Sequence, residues 1–367
     1  MNQISLENFK IDKSNWKKVK LGDVVSEPKE TVKDPVAEGI QHVVGLEHID
    51  SEDIHLRRSA NIDELTTFTK KFNQGDVLFG RRRAYLKKAA FAEFDGICSG
   101  DITVMRTKNA LLPELLPFII NNDKFFDYAI THSAGGLSPR VKFKDLSNFE
   151  LLLPPKNQQV QIAELFWAIN DVIQHECIVR DKLESSLISE RRSRLNEISG
   201  SDVILDEIIF PISKIKVGKL DKDHYQLTGK CPIVDQSQAF ISGYTDDESL
   251  VYKGDLPVIV FGDHTTILKF IDFPFVMGAD GTKVIKPKIN INVKYLYHVL
   301  VDLNLATEGY KRHFSILKSK SIKKYTDSDQ CDEMVKALDR ISRTISDVDQ
   351  DIYNAIQVKK ILINTIF

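Results

Sequence analysis

Cysteine is scarce in this chain. There are four in 367 residues, Cys98, Cys177, Cys231 and Cys331, and no CxxC pair. Neither a zinc knuckle nor a dithiol redox motif is suggested, and four scattered thiols fit a reducing cytoplasm better than a disulfide scaffold. No run of about 18 apolar residues occurs, so no membrane span is expected. Residues 1–15 are polar and read as a leader without the apolar core of a signal peptide. A P-loop of the form GxxxxGK[ST] is missing, which argues against ATP-driven work. The stretch Gly278-Ala279-Asp280-Gly281-Thr282-Lys283 has the wrong spacing for a phosphate cradle and reads as a turn entering a strand. The only Pro-Pro pair, Pro154-Pro155, follows Leu153 and precedes Lys156. It therefore lacks the amide or acid, and the aromatic, with which an adenine methyltransferase holds a flipped base. His175 and Cys177 stand two apart on one helix, hence on different faces, and His42 and His48 have no obvious third ligand. No catalytic residue, metal set or cofactor is expected. Charge of one sign is also missing: the net charge is −2 and the pI about 6.5. A protein gripping nucleic acid alone is usually more basic. A subunit that borrows affinity from partners, or gathers its cations on one face, is compatible with that balance.

What is present is ordinary in bulk and unusual in order. Apolar residues make up 42% and charged residues 28% of a chain long enough for two cores. One unit is written twice: a globular segment, a long helix, a second globular segment, a second long helix. In the first globular segment, strand-like runs occur at 41–46, 76–80, 102–105 and 149–153, with a short helix over 111–121. Pro154-Pro155 then opens a helix expected over 156–198, since proline suits a first helical turn. Its seam is Ile162, Phe166, Ile169, Ile173, Leu183 and Leu187, loosened where Glu176 and Arg180 interrupt it. In the second segment strands are expected at 257–262, 266–270 and 282–285. The last helix is expected from about 329 to the C-terminus, with the seam Met334, Leu338, Ile341, Ile345, Val348, Ile352, Ala355, Leu362 and Ile366.

The halves correspond position by position. Leu21-Gly22-Asp23-Val24 matches Leu205-Asp206-Glu207-Ile208, Val77-Leu78-Phe79-Gly80 matches Ile259-Val260-Phe261-Gly262, and Leu115-Leu116 matches Tyr295-Leu296. Each helix of about 40 residues would be roughly 60 Å long at 1.5 Å per residue. Two such seams pack most simply antiparallel, which puts the globular segments at opposite ends about a pseudo-two-fold axis. The expected fold class is thus mixed α/β (α+β), two globular domains alternating with two long helices paired as an antiparallel coiled coil.

Several segments resemble the DNA-specificity subunits of type I restriction–modification systems. The junction Leu151-Leu152-Leu153-Pro154-Pro155, followed by Gln158-Gln159 and Gln161-Ile162-Ala163, resembles the family's boundary between target-recognition domain and spacer helix. So do the opening Trp16-Lys17-Lys18-Val19-Lys20-Leu21-Gly22-Asp23-Val24 and the strand entry Gly75-Asp76-Val77-Leu78-Phe79. Gly309-Tyr310-Lys311-Arg312-His313-Phe314 with Leu317-Lys318 resembles a segment that closes such a domain. The second junction, Tyr325-Thr326-Asp327-Ser328-Asp329-Gln330, departs from the pattern by lacking the proline pair. The resemblance implies a first target-recognition domain over 1–155, a central spacer helix over 156–200, a second domain over 201–326 and a C-terminal spacer helix over 327–367. It implies a non-catalytic cytoplasmic subunit that reads a divided site in double-stranded DNA and binds methyltransferase subunits, two of them, with restriction subunits completing the full enzyme. Half-sites about one helical turn (~34 Å) or more apart would suit such a pair of readers. A protein–protein scaffold that never meets DNA is the alternative that the near-neutral charge motivates.

DNA binding calls for cations toward phosphates and fork-shaped or amide side chains toward base edges. The first candidate loop is Arg81, Arg82, Arg83, Tyr85, Lys87 and Lys88, expected to project from the strand ending at Gly80. An arginine there can pair twice with guanine O6 and N7. The second surrounds Gly135-Gly136 and offers Ser138, Arg140 and Lys142. In the second half the position matching Arg81 is Asp263, followed by His264 and Thr265, a different readout in which Asp accepts from a cytosine amino group. Arg312, His313, Lys318 and Lys320 correspond to the loop around Arg140.

Overall fold

The computed structural model describes residues 11–62, 67–210, 218–278, 281–288, 290–307 and 311–367. The leader residues 1–10, Ala279 and Asp280 of the glycine-flanked turn, and Gly309-Tyr310 of the closing segment lie outside them. The chain divides into two compact units. One comprises the residues up to Ile178 with Asp349–Phe367, and the other is Val179–Val348. Among the described residues no helix is long and apolar enough to cross a membrane.

The first unit opens with β1 (Lys17–Lys20), a short helix α1 (Leu21–Val24) and β2 (Val25–Ser26). Next come β3 (His42–Val44), β4 (Ala60–Asn61), β5 (Lys70–Phe72), β6 (Val77–Gly80), β7 (Ala89–Phe91), β8 (Gly96–Cys98) and β9 (Ile102–Thr107). Helices α2 (Leu116–Ile120), α3 (Asp123–Thr131) and α4 (Phe143–Leu146) lead to β10 (Glu150–Leu153). One sheet has the order β2-β9-β6-β7, a second β4-β3-β8-β5, and β1 pairs antiparallel with β10. β6 is buried on both faces, which explains its continuous apolar run. Gly75 takes φ +90° to turn the chain into it, and Asp76 receives Arg106 Nε at 2.7 Å and Nη2 at 2.8 Å. That ion pair stitches β6 to β9 and gives the Gly-Asp pair a structural reason.

The second unit repeats the plan. It contains β11 (Gly200–Ile204), α6 (Leu205–Ile208), β12 (Lys219–Leu220), β13 (Cys231–Val234), β14 (Gly243–Thr245), β15 (Val258–Gly262), β16 (Leu268–Ile271), β17 (Val276–Gly278) and β18 (Thr282–Ile285). Helices α7 (Val293–Asp302) and α8 (Phe314–Lys318) precede β19 (Ser321–Tyr325). The order β18-β15-β16 answers β9-β6-β7, and β14-β13-β17 answers β4-β3-β8, including the parallel central pair. β11 pairs antiparallel with β19 as β1 does with β10. The copies differ at two edges among the described residues: β12 runs parallel to β17 but β5 runs antiparallel to β8, and β2 lines β9 whereas no strand lines β18.

The long helices fall where the periodicity put them. The first is α5 (Lys156–Glu197) and the second α9 (Ser328–Ile366). Ile162, Ala163 and Phe166 of α5 share the first unit's core with Leu362, Ile363 and Ile366 of α9. The two helices run antiparallel there, with Phe166 against Phe367 and Asn170 against Lys359. In the second unit Leu187, Leu195 and Ile198 join Met334, Val335 and Leu338, again antiparallel. Leu183 and Leu187 are only partly covered, the looser stretch expected from the broken seam.

Each unit fastens the start of its closing helix to the entry of its first strand. Trp16, one residue before β1, donates from Nε1 to Gln158 Oε1 at 2.6 Å. Ser199, one residue before β11, donates from its backbone N–H to Gln330 Oε1 at 3.0 Å. Gln158 and Gln330 are both the third residue of their helix. Gln159, buried, accepts from Leu112 N–H and donates to the carbonyls of Ala110 and Pro154. Where the second junction lacks the proline pair, Asp327 accepts from the backbone N–H groups of Asp329 and Gln330, at 2.9 and 3.2 Å, and caps α9 instead.

Candidate nucleic-acid interface

In the first unit the two candidate loops, 55 residues apart in sequence, meet at the end of β6. Arg81 donates its backbone N–H to Asp101 O at 3.0 Å, and its carbonyl accepts from Val141 N–H at 3.0 Å. Arg83 donates to Pro139 O at 2.8 Å, and Ala134 and Arg140 exchange two backbone bonds of 2.9 Å. Both Arg83 and Lys87 sit in the left-handed region, at φ 55° and 48°, bracketing the tight turn that carries Tyr85. Tyr85 is exposed, as are Arg83, Arg140 and Lys142.

Side chains extend the same knot. Asp101, from the Ser99-Gly100-Asp101 turn before β9, receives Arg140 Nε at 2.7 Å and Nη2 at 3.4 Å. It also receives Arg82 Nη1 at 3.3 Å. Ser138 Oγ takes Arg82 Nη2 at 3.1 Å and Arg83 Nη2 at 3.3 Å. Among the described residues the buried Nε of Arg81 and of Arg82 have no partner, so Arg82 is held by its terminal nitrogens. The Arg140 guanidinium holds the Asp101 carboxyl below the usual carboxylate range; partial burial opposes this and Arg82 adds to it. Arg81, Arg82, Arg83, Arg140 and Lys142 together outweigh that one carboxylate.

Not all of the first candidate loop faces this way. Lys87 Nζ is bound to Asp123 Oδ1 at 2.6 Å and lies 3.5 Å from Glu52, while Lys88 Nζ donates to Leu46 O at 2.7 Å. The stretch expected to project as one hairpin is therefore divided. Residues 81–83 join the loop around Arg140, and the two lysines turn back to the body of the unit. Asp101 was invisible as a site residue in the sequence. Its one signal was a Ser-Gly-Asp turn between two strands, which reads as punctuation.

The second unit builds the corresponding frame with other side chains. Asp263 N–H donates to Gly281 O at 2.7 Å, as Arg81 does to Asp101. Asp263 O accepts from His313 N–H at 2.8 Å, as Arg81 O does from Val141. Asp263 thus aligns with Arg81, Gly281 with Asp101, and His313 with Val141, which places Arg312 opposite Arg140. Asp263 and His313 are buried. Asp263 Oδ1 accepts from Phe314 N–H at 2.8 Å and His313 Nδ1 lies 3.0 Å from Asp263 O, so both face inward as a buckle at the head of α8. The inward turn follows from burial: a carboxylate at the end of a buried strand takes the backbone N–H within reach, because leaving it unpaired is costly. His264 and Thr265 are half-buried and lean on Gln236, through His264 N–H to Oε1 and Thr265 Oγ1 to the carbonyl. Lys318 reaches Asp206 at 3.0 Å and covers the Phe314 ring, and the carbonyl of half-buried Lys320 accepts from Leu205 N–H. Arg312 is exposed and has no ion-pair partner among the described residues.

Comparison with known proteins follows this geometry. Residues 13–178 match the model of the type I restriction modification DNA specificity domain. The EcoDI type I restriction enzyme specificity subunit of Escherichia coli is 29% identical over 117 residues, 31% of this chain and 26% of that protein. The HindI specificity subunit of Haemophilus influenzae is 22% identical over 178 residues, 47% of this chain and 39% of that protein. The matched stretches thus span between a quarter and two fifths of these relatives. Among solved structures, a type I S subunit from M. genitalium is similar with a TM-score of 0.61 at 12% identity, over 96% of both chains. A chain from a study of assembly and conformational transition of the type I R-M system gives 0.54 at 19% identity, again over 96% of both. Both likenesses extend the shared fold across both halves.

Proposed function

We propose, from the match of residues 13–178 to the model of the type I restriction modification DNA specificity domain, that the whole chain is a DNA-specificity subunit. It reads a divided site in double-stranded DNA and directs methyltransferase subunits, two of them, and restriction subunits to it. The chain selects the sequence in the cytoplasm and its partners carry the chemistry. We assign target recognition to 1–155 and 201–326 and spacing to 156–200 and 327–367. The observation that carries this reading is the repeated frame at the ends of β6 and β15. The same backbone bonds recur there with unlike side chains, as two readers of two unlike half-sites require. In the first reader the contacts are assigned to Arg81, Arg82, Arg83, Tyr85, Ser138, Arg140 and Lys142. In the second they fall to His264, Thr265 and Arg312, with Lys318 and Lys320 toward phosphate and Asp263 and His313 supporting from within. Arginines and lysines of this kind position DNA through phosphate and read guanine edges.

Co-purified with its methyltransferase partner, the chain should direct methylation to one divided sequence. Methylation without sequence preference would contradict the reading. A non-DNA-binding scaffold remains the alternative because the chain is nearly neutral. Replacing Arg81, Arg82 and Arg83 by alanine separates the two: a scaffold leaves the DNA affinity of the assembled complex unchanged in a mobility-shift assay, whereas a reader loses it.

A further inference from the structure

We propose that Asp101 is a positioning residue for the first reader, tying Arg82 of one loop to Arg140 of the other and so deciding how many of its guanidiniums are free to meet phosphate. This rests on the DNA-recognition reading above and adds to it a residue that touches no base.

Three observations support it. Asp101 lies between the loops, with its two oxygens taking Arg140 at 2.7 Å and Arg82 at 3.3 Å, and its backbone carbonyl taking Arg81 N–H. One residue thus fixes the start of one loop and the side chains of both. Second, Ser138 gathers the remaining ends of Arg82 and Arg83, so the forks that survive this pairing are aimed together rather than separately. Third, the second unit lacks the device. Gly281 stands where Asp101 does, at φ +87°, and a Cβ there would come within 2.8 Å of Gln236 and His264. The left-handed backbone favours glycine over a side chain that would carry a carboxylate at that point, and Arg312, opposite Arg140, is exposed without an ion-pair partner among the described residues. One half of the molecule holds its arginines in a fixed arrangement, and the other presents an arginine that no ion pair among the described residues restrains. Fixed forks suit base edges, which need geometry; an unrestrained cation suits phosphate, which needs charge.

The test uses the complex assembled with its methyltransferase partner, on duplexes carrying the target or single base-pair changes in either half. Asp101→Asn keeps the size and removes the charge. It should lower discrimination in the first half about tenfold, leave the second half unchanged, and steepen the slope of log affinity against log salt. The steepening should be about 1–2, since each phosphate newly neutralised adds ~0.9. Asp101→Glu, which keeps the charge, should restore much of both. Arg140→Ala, at an exposed position that folding tolerates, should lose the same discrimination while the salt slope becomes shallower. Salt slopes and discrimination that match the wild type in both Asp101→Asn and Arg140→Ala would overturn the proposal. A wild-type complex that binds every duplex alike would instead defeat the underlying reading of DNA recognition.

Discussion

His298, on the buried face of α7, is 4% exposed. Burial pushes its imidazole down to about 4; the Arg191 cation of α5 and Lys294 act in the same direction, and Asp339 of α9 opposes them. Its folded value lies below the ordinary 6.5, so the unfolded chain binds the proton first as pH falls. Stability is therefore full above pH 6.5 and declines as pH falls toward 4. Between pH 7 and pH 5 the second unit should lose about 2 kcal/mol from this residue alone. Thermal unfolding at the two pH values checks it, and His298→Gln should flatten the difference. Neither His298 nor Arg191 was visible as special in the sequence, because a histidine on an apolar helix face has no local mark of its depth. The arginines at 81–83 were visible, since a triple of like cations after a buried strand stands out. The partner that orders them, Asp101, was not, because its role depends on a loop brought in from residue 140.

Elements were the most legible level. Period and punctuation placed β6, β9, β15 and both long helices almost to the residue, because a fully buried strand and a seam at steps of three and four each write their geometry into composition. The small edge strands and the parallel pairs β3–β8 and β13–β17 were not legible, since their partners lie far away in sequence. The two helix starts show how unlike sequences reach one end. α5 begins behind Pro154-Pro155, and α9 behind the side chain of Asp327. Asp327→Ala should cost about 1 kcal/mol, as lost caps do. Phe166→Ala, at a fully buried seam position stacked on Phe118, should cost about 3–5 kcal/mol. Urea unfolding of the two variants should rank them in that order, and a reversed order would mean that the cap, not the seam, holds the helices.

At the scale of the whole molecule, the duplication was legible from the order of short patterns, although few residues are shared. The structure adds the reason that identity can be so low: the repeated frame consists of backbone bonds, at Arg81 and Asp263, that do not depend on side chains. Each reader can then drift independently. Arg312→Ala should weaken DNA binding by the assembled complex with a shallower salt slope, while the order of preference among first-half variants of the duplex stays as in the wild type. A mobility-shift series on such duplexes would show it. A reshuffled first-half preference would mean that the readers are coupled.

The approach to β1 also meets the end of α9. Lys13 Nζ donates to Thr365 O at 2.8 Å, and the Trp16 ring lies 6.5 Å from that of Phe367. The tail of α9 is thereby delivered to the doorstep of β1, just as the tail of α5 runs straight into β11. A linker from Phe367 to Ile11 with the backbone opened between Ile198 and Ser199 should therefore give a permuted protein that keeps the Lys13–Thr365 and Trp16–Phe367 contacts.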